Sequence, residues 1–135
     1  MFFKHFLLTR SFLFSAFFIV AQEKPTDYKL VVFEGSDWCN NCIRFEKKVL
    51  SNKSFIHFTD VKKIEIERID FPQRKKLDKE IKDYNASIAE KYNFQGVFPT
   101  ILLVEQGSET VLKINYANQD TEEFISLLKS KITSL

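Results

Sequence analysis

The reading of this chain turns on Leu30-Val31-Val32-Phe33-Glu34-Gly35-Ser36-Asp37-Trp38-Cys39-Asn40-Asn41-Cys42. The apolar run 30–33 predicts a buried strand, and Gly35-Ser36-Asp37 predicts a turn. Beyond the turn, Cys42, Phe45 and Val49 recur at three and four residues, the period of one helix face. The pattern strand, turn, helix puts Cys39 at a helix N-terminus. There the unpaired backbone N–H groups and the positive end of the helix dipole favour an anion. A free cysteine has a pKa of about 8.5, and C-x-x-C sites at helix starts reach roughly 3.5–7.5. Cys39 is therefore the expected nucleophile. Cys42 lies one turn on and faces the core, where it can attack a mixed disulfide formed at Cys39.

These are the only two cysteines in the chain, and other readings of the pair are weaker. Zinc wants four ligands, and the chain offers two thiols, His57 and His5, the last in a segment expected to be removed. A purely structural disulfide would close a loop too short to constrain much of the unfolded chain. Inert buried thiols fit poorly with an exposed turn. No metal site is expected, and His57 reads as a surface or packing residue.

The N-terminus carries Lys4 and Arg10, then runs from Ser11 to Ala21 without a charge. A basic flank before a short apolar run fits an export signal over residues 1–21, and the run is shorter than the roughly 20 residues a membrane span needs. The alternative is an uncleaved N-terminal anchor over Phe2 to Ala21, interrupted by those two bases. Removal of 1–21 would take two of the 20 bases and none of the 18 acids, leaving a domain close to neutral. Nothing in that balance calls for nucleic acid or an anionic membrane. Export would also place the cysteines where disulfides persist, and a periplasm is the expected compartment.

Residues 22–27 read as a short polar leader, and 28–135 as one domain with one core. Within it the sequence predicts a strand over Tyr28 to Glu34, a helix from Cys39 to about Ser51-Asn52, and a short apolar segment at Phe55 to Phe58. A second strand carries Ile64, Ile66 and Ile69 and breaks at Asp70-Phe71-Pro72. A helix from Lys75 to Lys91 presents Leu77, Ile81, Tyr84, Ile88 and Tyr92. Strands over Thr100 to Val104 and Val111 to Tyr116 form a hairpin around Gln106-Gly107-Ser108. Asp120-Thr121-Glu122-Glu123 is a capping box opening a last helix that turns Phe124, Leu127, Leu128 and Ile132 inward. The order β-α-β-α-β-β-α implies an α/β fold: a central mixed sheet with helices on both faces. In such sheets sites gather where strands end and helices begin, which is where Cys39 sits.

Trp38-Cys39-x-x-Cys42, the strand before it, Phe98-Pro99-Thr100, the hairpin and the last helix together resemble the thioredoxin family. Gly35-Ser36-Asp37-Trp38-Cys39 with Ile69-Asp70-Phe71-Pro72 is similar to exported bacterial members and to the C-terminal domain of membrane thiol–disulfide transporters. The resemblance implies a thioredoxin fold and an exported thiol–disulfide oxidoreductase that reduces or isomerises protein disulfides. It implies a redox disulfide between Cys39 and Cys42, a cis Pro99 opposite them, and Trp38 and Phe98 flanking an extended client. It implies no cofactor: electrons come from a membrane or exported dithiol protein. A client-binding module with a static disulfide is the alternative. Two departures stand out. The family's buried acid on the first strand matches Phe33 here, and because strand neighbours point to opposite faces Glu34 is not expected to replace it. One extra residue in Gly96-Val97-Phe98-Pro99 is expected to reshape the loop facing the cysteines.

Overall fold

The computed structural model describes residues 26–135, so the expected signal over 1–21 and most of the leader over 22–27 lie outside the described residues. Four strands form one sheet in the order β2-β1-β3-β4. β1 (Tyr28–Glu34) pairs parallel with β2 (Ile64–Asp70) and antiparallel with β3 (Thr100–Glu105), which pairs antiparallel with β4 (Val111–Ile114). Parallel β1 and β2 require a crossover, and the helices that follow Cys39 supply it.

The central strand is apolar on both sides because both sides are covered. Leu30 and Val32 face a core built with Phe45, Val49, Phe55, Phe124 and Leu128, whereas Val31 and Phe33 face Ile69, Leu102, Ile88 and Phe94. The first face is packed by α1 (Asn40–Phe45), α2 (Lys53–Val61) and α4 (Thr121–Thr133), and the second by α3 (Lys79–Lys91). The Phe45 ring is edge-on to Phe124 at 5.0 Å, which locks the cysteine-bearing helix against the last one.

Four elements differ from the sequence reading. Phe55 to Phe58 is the middle of a helix, α2, because Asn52 caps it by accepting the Ser54 N–H at 2.9 Å. Phe55 and Phe58 are inward while Ile56 and His57 point outward. α1 continues through a π-helical turn at Glu46–Leu50, and there the Lys48 carbonyl accepts the Thr121 hydroxyl of α4 at 2.5 Å. α3 starts at Lys79 rather than Lys75, and its sheet-facing side carries Asn85, Ile88 and Ala89, leaving Ile81 and Tyr84 exposed. β4 also ends at Ile114, before Tyr116. The capping box forms as read: Asp120 accepts the Glu123 N–H and Glu123 accepts the Asp120 N–H, both at 2.9 Å.

Candidate active site

Cys39 occupies the N-cap of α1, where the chain leaves β1 through a tight turn closed by the Cys39 N–H on the Gly35 carbonyl at 2.9 Å. Gly35 is required by close approach, since a β-carbon there would lie 2.3 Å from the Trp38 indole. The Cys39 sulfur accepts the Cys42 N–H at 3.2 Å, a bond that would strengthen if the sulfur became a thiolate. The two cysteines are disulfide-bonded, with α-carbons 5.2 Å apart. Both cysteines are buried, Cys39 7% exposed and Cys42 2%, and the exposed part of the turn is Asn40 and Asn41 between them. Cys39 is the less enclosed of the two.

The Phe98–Pro99 peptide is cis. The Trp38 and Phe98 rings meet edge-on at 5.1 Å, and Phe98 also contacts Phe71 and Phe94, so the residue before Cys39 and the residue before Pro99 share one aromatic cluster. In the loop before the proline, Gly96 takes a positive φ of 74° and the Thr100 hydroxyl donates to the Val97 carbonyl at 2.6 Å.

Behind Cys42 the structure corrects the sequence reading. Phe33 faces α3 and stacks on Phe94 at 4.3 Å. Glu34, 4% exposed, instead turns to the side of α1, where it lines a cavity of about 100 Å³ with Cys42, Glu46 and Arg68. Alternation along the strand was read correctly, but it is Glu34, not Phe33, that shares the face of Cys42. Arg68 on β2 grips Glu34 with two bonds, Nε to Oε1 at 2.8 Å and Nη2 to Oε2 at 2.9 Å, and reaches Glu46 at 2.6 Å. The Glu34 bonds, partly opposed by burial and aided by Glu46, hold the guanidinium proton more firmly than usual. The sequence signal for this was present: an acid at the end of β1 and an arginine near the end of β2, on adjacent strands.

The three residues before Cys39 are each tied to the end of β2 or to the segment after it. Ser36 donates its N–H at 2.9 Å and its hydroxyl at 2.6 Å to Asp70, and the Trp38 indole N–H donates to the Phe71 carbonyl at 2.8 Å. Asp37 accepts the N–H groups of Gln73, Arg74 and Lys75 at 2.8–2.9 Å. Burial pushes both acids up, yet these hydrogen bonds, with Lys75 nearby, hold Asp37 and Asp70 below the usual carboxylate range. A lowered folded-state pKa lends stability above the unfolded value, near about 4, that is lost as pH falls through the folded value. Urea midpoints at pH 7, 5 and 3 are therefore expected to fall steeply only in the acid step, with a shallower fall in Asp70→Asn.

A covered mixed sheet carrying a dithiol pair at the start of its first helix defines a class of small α/β proteins, the thioredoxin fold. A family model described as a thioredoxin-like domain matches residues 15–132, and the chain belongs to that family. The Disulfide bond reductase DsbH of Chlamydia pneumoniae is 27% identical over 100 residues, covering 74% of this chain and 59% of that protein. The chain thus spans less than two thirds of that curated relative. Among solved structures, one titled DsbH Oxidoreductase is similar at a TM-score of 0.72, with 24% identity over 80% of this chain and 74% of that one. The reduced C-terminal domain of Neisseria meningitidis DsbD is similar at 0.52, with 15% identity over 78% and 82%. At these identities the two structures speak for the fold alone. Among the described residues no helix is long and apolar enough to cross a membrane.

Proposed function

We propose that this protein is an exported thiol–disulfide oxidoreductase that reduces or isomerises disulfides of client proteins. The Cys39 thiolate attacks one sulfur of a client disulfide and expels the other as thiolate. The Cys42 thiolate then attacks Cys39, closing the Cys39–Cys42 disulfide and releasing the client's second thiol. Two electrons pass to the client, and a membrane or exported dithiol protein returns them. Glu34, in the cavity beside Cys42, is the carboxylate positioned to take the Cys42 proton as that thiol becomes a nucleophile. Trp38 and Phe98 flank the client, and cis Pro99 leaves the Phe98 backbone open to an extended strand. The single observation that carries this reading is the Cys42 N–H aimed at the Cys39 sulfur.

The reducing direction draws on the relative named a disulfide bond reductase, and export to a periplasm draws on the basic flank and apolar run at the N-terminus. The alternative of a client-binding module with a static disulfide leaned on the missing strand acid. Glu34 on the side of Cys42 removes that support.

Equilibration with glutathione buffers, followed by the fluorescence of Trp38, tests the proposal. A reduction potential near about −250 mV or lower is expected, whereas about −120 mV would indicate an oxidase. A pair that never exchanges with the buffer overturns the reading.

A further inference from the structure

Ser36, Asp37 and Trp38 each hydrogen-bond into the stretch Asp70 to Lys75, some 33 to 38 residues away. Asp37 holds the most of it: its Oδ1 takes the Gln73 N–H and its Oδ2 takes those of Arg74 and Lys75. Three consecutive amides in an exposed loop gain no partner from a helix or sheet, so one carboxylate supplies the acceptor that regular structure does not. Lys75 closes the loop from the other end by pairing with Asp70 at 2.9 Å, and the Asp70 carbonyl is held by buried Asn85 at 2.8 Å. The first residue of the pinned loop is Phe71. Its carbonyl holds the Trp38 indole, and its ring packs edge-on against Phe98.

From this geometry we propose that Asp37 is a positioning residue for client binding. By gathering the amides of 73–75 it clamps the Phe71 loop to the turn that bears Trp38 and Cys39, and so fixes the aromatic wall along which a client polypeptide reaches the nucleophile. The inference rests on the oxidoreductase reading and adds a determinant of substrate class to it. A polypeptide disulfide must lie along the wall, whereas a small aromatic disulfide needs only access to Cys39. Asp37 touches neither the cysteines nor the client; it acts through the backbone of the loop.

The test compares reduction of insulin with reduction of 5,5′-dithiobis(2-nitrobenzoate) by the full-length protein, its Asp37→Ala variant and its Asp37→Asn variant. The ratio of the two kcat/KM values is expected to shift against insulin by roughly 5–10-fold in Asp37→Ala, the scale on which misplacing a binding group is felt. Asp37→Asn, which keeps one carbonyl acceptor, should recover part of that shift, and it carries the test by itself if Asp37→Ala does not fold. An unchanged ratio overturns the proposal, whether both rates hold steady or both fall in step with thermal stability. If the unaltered protein reduces neither disulfide, the oxidoreductase reading itself is what fails.

Discussion

Cys42→Ser is expected to accumulate as mixed disulfides with exported proteins, while Cys39→Ser forms none and loses disulfide exchange by roughly 10³-fold or more, as when the nucleophile is removed from a covalent mechanism. The asymmetry follows from geometry. Cys39 stands at the helix cap with its sulfur against the Cys42 N–H, and Cys42 is turned inward over the cavity of Glu34. A client disulfide can therefore meet Cys39 but not Cys42. With Cys42 replaced, the mixed disulfide has no internal nucleophile to release it and persists. Non-reducing gels and mass spectrometry of captured complexes provide the check. Equal capture by both variants would point to a binding module with a static disulfide.

The largest stability effect is expected at Arg68. Truncation to alanine removes both bonds to Glu34 and the contact with Glu46, and it leaves an almost fully buried carboxylate without its partner. Breaking a buried ion pair from one side costs about 3–5 kcal/mol. Arg68 is partly solvated, so about 2–4 kcal/mol is expected here, read as a lowered urea midpoint. Replacing Glu34 and Arg68 together by leucine should recover much of that loss, because the Glu34 carboxylate is no longer buried without a partner, while Glu46 is partly exposed and keeps the Ser51 hydroxyl. The same double variant should slow release of mixed disulfides, since Cys42 then lacks the Glu34 carboxylate. A double variant as unstable as Arg68→Ala would show that the pair matters through packing rather than charge.

Much of this architecture is legible in the chain because its causes are local. A C-x-x-C at the junction of a strand and a helix, the spacing of Cys42, Phe45 and Val49, and the capping box at Asp120 depend on residues a few positions apart. Helix α2 was missed because its two buried phenylalanines, three residues apart, form a stripe too short to stand out, and its start depends on the cap at Asn52. The stripe through Ile81 and Tyr84 is displaced because Asn85, a polar residue that an apolar repeat does not single out, is buried by its bond to the Asp70 carbonyl.

Trp38, Phe98 and Pro99 entered through the family resemblance, whereas by itself the sequence determined the layered α/β order and the pair Cys39 and Cys42. These follow from side-chain periodicity and from the chemistry of single short motifs. Only the tertiary structure decided that Glu34 rather than Phe33 faces Cys42, that Arg68 grips it, and that Lys75, expected to open a helix, instead joins Gln73 and Arg74 on Asp37. Strand alternation states that neighbours point apart, but which side holds the cysteine helix depends on how the crossover packs. A carboxylate's choice among distant amides is likewise settled only once the chain has brought them together.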